Sequence, residues 1–215
     1  MAEKRKIRKM TLVLALALTI LIFIGGIAIG NALTQSKVND ILSSEQETQI
    51  QLENLQLEQD FLKDYPCQSP TLLSESLEEL GVKLTYLESQ YSKDDPRIIA
   101  LKNPYTLLEV RHYLALKSMT QRCGQNYTLM LFFYSNDPAN AKTSEEQGFV
   151  LDYLRKKFDN IKVYSIDSDL DLGIVNVMKN EYSVSVTPSL VIGDKTYVGF
   201  HSKEELESLL ENKTA

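Results

Sequence analysis

Cysteine and histidine are scarce in this 215-residue chain, with two of each. The cysteines, Cys67 and Cys123, stand 56 positions apart, which excludes a CxxC redox pair. The histidines, His112 and His201, lie near no cysteine and far from each other, so no zinc-ligand spacing exists and no metal is expected. Neither a P-loop nor a dinucleotide-binding glycine fingerprint occurs, and no cofactor is expected. Positive charge is thin beyond residue 9. Residues 1–9 carry Lys4, Arg5, Lys6, Arg8 and Lys9 against Glu3, a local +4, so the overall charge of -6 leaves -10 on the rest. An acidic body lacks the clustered Lys and Arg that phosphate backbones require, which argues against nucleic acid as a partner.

What the chain does have is one long uncharged run, Met10 to Gly30. About 20 apolar residues in a helix cross a hydrocarbon core of about 30 Å, so residues 10–30 read as a transmembrane helix. The basic tail 1–9 then stays in the cytoplasm and residues 31–215 lie on the extracytoplasmic side of a single-pass chain. The competing reading is a cleaved signal peptide, whose apolar core usually spans only about 7–15 residues. Either way the body is exported, and a disulfide is permitted.

Thr34 to Lys63 contains no Pro or Gly and is rich in Gln, Glu and Leu, so residues 31–65 read as a helical stalk. Val38, Ile41, Leu52, Leu55 and Leu62 fall near a heptad seam that Glu45, Thr48 and Gln59 interrupt. Two readings stay open: a coiled coil through which chains self-associate over residues 34–64, and a single helix lying on its own domain. Residues 66–125 read as a helical subdomain. Thr71–Gln90 is expected to be a helix interrupted near Gly81. Asn103-Pro104 is expected to start another, since Asn caps and Pro suits a first turn, and that helix runs to about Gln121. Cys67 and Cys123 flank this region. A bridge between them would contribute about 4 kcal/mol for a loop of that length. The alternative is two free buried thiols behaving as small hydrophobes.

From residue 126 the pattern alternates strand and helix, which makes residues 126–215 an α/β domain. Thr128–Tyr134 is a near-continuous apolar run, as a central buried strand requires. Ser144–Phe158 places Val150, Leu151, Leu154 and Phe158 on one helical face. Ile161–Ile166 reads as a strand and Asp169–Tyr182 as a helix. Ser189–Ile192 and Thr196–Phe200 form a hairpin around Gly193-Asp194. Ser202 and Glu205 make a capping box for a last helix. The order is β-α-β-α-β-β-α.

That order resembles the thioredoxin fold. Val186-Thr187-Pro188-Ser189-Leu190-Val191-Ile192 is similar to the family's cis-proline segment, Gly199 to the glycine it keeps in its final strand, and the FFYS at 132–135 to its lead into the active-site loop. The resemblance implies a cis Pro188 facing the active site and a CxxC at the start of the first helix, where the helix terminus would lower a thiol pKa. No cysteine stands there. Two registers compete for the lost pair. Asp137-Pro138-Ala139-Asn140 echoes CPxC. Ala141-Lys142-Thr143-Ser144 is favoured by the helix face, because counting from Ser144 lands on Val150, Leu151, Leu154 and Phe158, whereas counting from Asn140 lands on the polar Gln147.

The function this implies is a membrane-anchored thioredoxin-like protein with degenerate positions Ala141 and Ser144, acting without catalysis as a binding or chaperone-like module. Its groove at Thr187 and Pro188 would take extended peptide or protein clients. Two alternatives stand beside it. One is a thiol-disulfide oxidoreductase family member inactivated, by nature or by Cys→Ala and Cys→Ser change, at 141 and 144. The other is a structural stalk or assembly protein.

Overall fold

The computed structural model describes residues 12–29, 52–54, 56–57, 60, 67, 71–91, 95–124 and 126–214. The expected seam residues Val38, Ile41, Leu55 and Leu62 lie outside them. The first helix, α1 (Leu12–Ile29), has 18 residues with a mean hydropathy of 2.9. By length and composition it is apolar and long enough to cross a membrane, at a rise of about 1.5 Å per residue. Its single hydroxyl donor is satisfied within the helix, since Thr19 Oγ1 donates to the Ala15 carbonyl at 2.8 Å.

The rest of the described chain forms α2 (Thr71–Gln90), α3 (Pro96–Cys123), β1 (Thr128–Tyr134), α4 (Ala141–Lys157), β2 (Ile161–Asp167), α5 (Gly173–Glu181), β3 (Ser189–Ile192), β4 (Lys195–Val198) and α6 (Lys203–Thr214). Four strands make one mixed sheet in the order β2-β1-β3-β4. β1 pairs parallel with β2 and antiparallel with β3, and β3 pairs antiparallel with β4. The period-2 geometry of β1 explains its apolar run. Leu129, Leu131 and Phe133 face one helical layer, where Leu108, Tyr113 and Leu116 of α3 meet Val175 and Met178 of α5. Met130 and Phe132 face the other, against Leu151 and Leu154 of α4 and Leu206 and Leu210 of α6. Both faces are covered, so neither set can be polar.

Leu77 and Leu80 of α2 belong to the α3-facing cluster, as does Leu52, which is 4% exposed. Residues 66–125 and 126–215 therefore share one hydrophobic core. Cys67 and Cys123 are joined by a disulfide.

Several boundaries differ from the sequence expectation. α2 runs unbroken through Gly81. A methyl group there would come within 2.5 Å of Tyr105 Oη, so the glycine serves a close helix approach and not a break. α3 begins at Pro96, with Pro104 in its interior. Asp95 is the true cap, accepting from the Arg97 N–H at 2.9 Å, and Gly124 ends the helix in the left-handed region at φ 66°. Proline inside a helix costs about 3 kcal/mol. Ile98 and Leu101, buried against Leu84, each return about 1.5–3 kcal/mol and hold the first turns in place. α4 starts three residues before Ser144, which leaves Glu145 and Glu146 beyond its first turn. α5 starts at Gly173 because the Asp169 carboxylate is engaged elsewhere, as described below. β4 ends at Val198, short of the expected Phe200. The Ser202–Glu205 capping box is reciprocal, at 3.1 and 3.3 Å.

Candidate functional site

Parallel pairing of Tyr134 with Asp167 ends β1 and β2 side by side and brings their following turns together. The turn after β1, the turn after β2 and the segment before β3 enclose a cleft of about 360 Å³. Ser135, Asp137, Asn140, Ser168, Asp169 and Thr187 are among its lining residues. The Thr187–Pro188 peptide bond is cis. Ser189 Oγ donates to the Val186 carbonyl at 2.7 Å, and the Gly199 N–H donates to the Pro188 carbonyl at 2.8 Å. Gly199 adopts φ 85°, which glycine alone takes without cost, and this lets the chain leaving β4 turn alongside Pro188. Among the described residues nothing pairs with the Thr187 N–H or C=O. Val186, Val198 and Phe200 stand exposed beside this segment.

Thr187 and Pro188 thus lie together at the cleft, with Pro188 buried and Thr187 half-buried. Ala141 and Ser144 do not line it. Ala141 is the first residue of α4, and Ser144, one turn on, is 4% exposed with its Oγ accepting from the Ser135 N–H at 3.2 Å. Asp137 and Asn140 do line the cleft, together with Thr187. The register count turned on the polarity of Gln147. Gln147 is fully buried, because its Oε1 accepts from the His201 N–H at 2.7 Å. A buried amide with a partner is compatible with a core position.

A polar network underlies the cleft. The Asp169 carboxylate accepts from Ser135 Oγ at 2.9 Å and from the Asn136 N–H at 2.6 Å. Asp167 Oδ2 accepts from Asn136 Nδ2 at 2.9 Å, and its Oδ1 accepts from the Asp169 N–H at 2.9 Å. Ser135 Oγ in turn accepts from the Asp137 N–H at 3.0 Å. Beneath them Lys102 Nζ of α3 lies 2.5 Å from Asp167 and 2.6 Å from Glu88 of α2. Burial pulls the Lys102 pKa down, but the Asp167 and Glu88 carboxylates outweigh it and the net direction is upward. Deeper on α3, Glu109 Oε1 accepts from the Ser165 N–H at 3.1 Å, and burial pushes its carboxyl up to about 8. His112 Nδ1 meets Tyr164 Oη at 3.0 Å, and burial pulls its imidazole down to about 4. Sequence reasoning passed over Lys102, Glu109 and His112. Their only signal was charge on the inner face of an otherwise apolar helix.

The disulfide lies elsewhere. Cys123 ends α3 just before the start of β1, while the cleft forms at the far end of that strand, about 23 Å away for seven residues. Among the described residues, no group of three His, Cys, Asp or Glu side chains converges as metal ligands would.

No protein-family model and no curated protein matches the chain. Solved structures do. A malarial protein matches at 18% identity over 40% of this chain and 97% of its own, with a TM-score of 0.33. Thioredoxin-2, described as a component of malaria parasite protein secretion machinery, matches at 19% identity over 41% of this chain and 84% of its own, with a TM-score of 0.33. Thioredoxin O2 from Arabidopsis thaliana, in the oxidized state, matches at 17% identity over 46% of this chain and 87% of its own, with a TM-score of 0.35.

Proposed function

We propose that residues 126–215 are a thioredoxin-like domain without its redox cysteines, and that this domain binds extended peptide or unfolded protein segments without covalent chemistry. Residues 10–30 anchor it, with residues 1–9 cytoplasmic and the body extracytoplasmic. The element order, the β2-β1-β3-β4 sheet and the cis Thr187–Pro188 bond support the fold reading. The observation that carries the function is the unpaired Thr187 backbone at the cleft, beside the exposed Val186 that also lines it. An extended client can add its own N–H and C=O groups there as a further strand, while the apolar neighbours hold its side chains. Asp137, Asn140 and Ser144 supply no thiol, and no histidine lines the cleft to activate a hydroxyl.

The test is binding of unstructured fluorescent peptides to the detergent-solubilised chain. Saturable micromolar binding is expected, and Pro188→Ala should weaken it about tenfold by letting the Thr187 backbone turn away. Absent binding, or binding indifferent to Pro188, overturns the reading.

A further inference from the structure

We infer that Lys102 is a positioning residue for the Thr187 cleft, which makes the α2–α3 pair part of the binding site and not a spacer between it and α1. The inference rests on the cleft being the client site.

Lys102 is 3% exposed and touches no cleft surface itself. It reaches the cleft through a continuous chain of bonds. Its ammonium is held by Glu88 from α2 and pairs with Asp167 at the end of β2. Asp167 uses one oxygen to accept from Asn136 Nδ2 and the other to accept from the Asp169 N–H. Asp169 then gathers Ser135 Oγ and the Asn136 N–H. Ser135 Oγ fixes the Asp137 N–H. Ser135, Asp137 and Asp169 all line the cleft. Both turns that shape it are therefore tied to one carboxylate, and that carboxylate is oriented by one cation from outside the sheet.

The magnitude of such a pair points to geometry more than to stability. Apolar residues of similar volume often stabilise a fold as well as a buried ion pair does. What an apolar residue cannot do is hold the Asp167 carboxylate aimed at two donors on different turns. With the ammonium removed, a carboxylate that is almost entirely buried loses its cation and must swing toward water or rearrange its hydrogen bonds. Either response releases Asn136 or Asp169, and the release is felt at Asp137. Networks of this kind in low dielectric respond as a unit, which gives the inference a signature.

The experiment is a double-mutant cycle in the full-length chain in detergent micelles, with Lys102→Met, Asn136→Ala and the pair combined. Two quantities are read: affinity for one unstructured fluorescent peptide, and the amide resonances of Asp137 and Thr187. Each single change should weaken the peptide about tenfold and move the Asp137 resonance, and the double variant should lose no more than the worse single. Additive losses near a hundredfold, or an Asp137 resonance unmoved by Lys102→Met, overturn the inference. A merely structural role predicts the additive result. Should Lys102→Met fail to fold, Asp167→Asn takes its place in the cycle, since it removes the charge at constant shape and is read by the same criteria. A parent chain that binds no peptide sinks the client reading alone, and the Asp137 resonance then decides whether Lys102 shapes the cleft.

Discussion

Glu109 and His112 lie one turn apart on the face of α3 that meets β2, and burial shifts them in opposite senses. Glu109 holds its proton up to about 8 in the folded chain, against an ordinary 4.5. Its contribution to stability is therefore full below about 4.5 and is lost as pH rises toward about 8, because unfolding releases the proton. His112 resists protonation down to about 4, against an ordinary 6.5. Its contribution is full above about 6.5 and is lost as pH falls toward about 4. Between those ranges the two slopes oppose each other, so the clean window is pH 6.5 to 8, where only Glu109 of the two titrates. Glu109→Gln keeps an oxygen for the Ser165 N–H and carries no charge. Urea unfolding of the parent should weaken across that window by up to a few kcal/mol, at about 1.4 kcal/mol per pKa unit. The variant should be flat there and the more stable of the two at pH 8. Parallel slopes would mean that another group titrates. Single residues were also where the sequence was least legible. Thr187 and Pro188 were named through the resemblance of residues 186–192 to the thioredoxin family's cis-proline segment, and Thr187 lines the cleft. The choice of Ala141 and Ser144 over Asp137 and Asn140 turns on Gln147, whose burial depends on a backbone N–H 54 residues away.

At the scale of elements, the strands and α4 to α6 were readable within a few residues, because each carries a period-2 or period-3.6 pattern against the sheet. α2 and α3 were not. Buried Lys102, Thr106, Glu109 and His112 interrupt the apolar face of α3, and Pro104 and Gly81 look like breaks. The Gly81 contact makes a prediction whose sign is not the usual one. Glycine to alanine in a helix ordinarily gains about 1 kcal/mol. Here the new methyl would sit 2.5 Å from Tyr105 Oη. Tyr105 cannot easily yield, since it packs against two hydrophobic clusters at once. Overpacking of that kind costs about 1–3 kcal/mol, so Gly81→Ala should lower the thermal midpoint. Removing the hydroxyl should reverse the sign: in a Tyr105→Phe background, Gly81→Ala should raise the midpoint. If Gly81→Ala stabilises the parent chain, the close approach does not constrain α2.

For the whole molecule, an N-terminal helix apolar and long enough to cross a membrane could be read from hydropathy, whereas the unity of the rest could not. The strand–helix alternation that begins at residue 126 suggested a boundary, yet Leu77, Leu80, Leu108 and Leu116 close one face of the sheet. That shared core determines what loss of the disulfide should do. Cys67 and Cys123 stand 56 positions apart, with α2 and nearly all of α3 between them. Cutting the bridge frees that loop in the unfolded ensemble, for a destabilisation of about 4 kcal/mol in the chain-entropy account. If α2 and α3 were an independent unit, reduction would melt them first and leave the sheet standing. Because their inner faces are also the sheet's cover, helix and sheet should unfold together at a lower temperature. The chain contains no Trp, so the 11 tyrosines dominate its near-ultraviolet circular dichroism, and buried Tyr113 and Tyr164 report on the α3–sheet contact. Thermal scans of the full-length chain, oxidised and with Cys67→Ser plus Cys123→Ser, should show helical and tyrosine signals shifting downward together. A helical transition that separates from the tyrosine signal would place the domain boundary back at residue 125. An unchanged midpoint would show that the bridge does not restrict the unfolded chain.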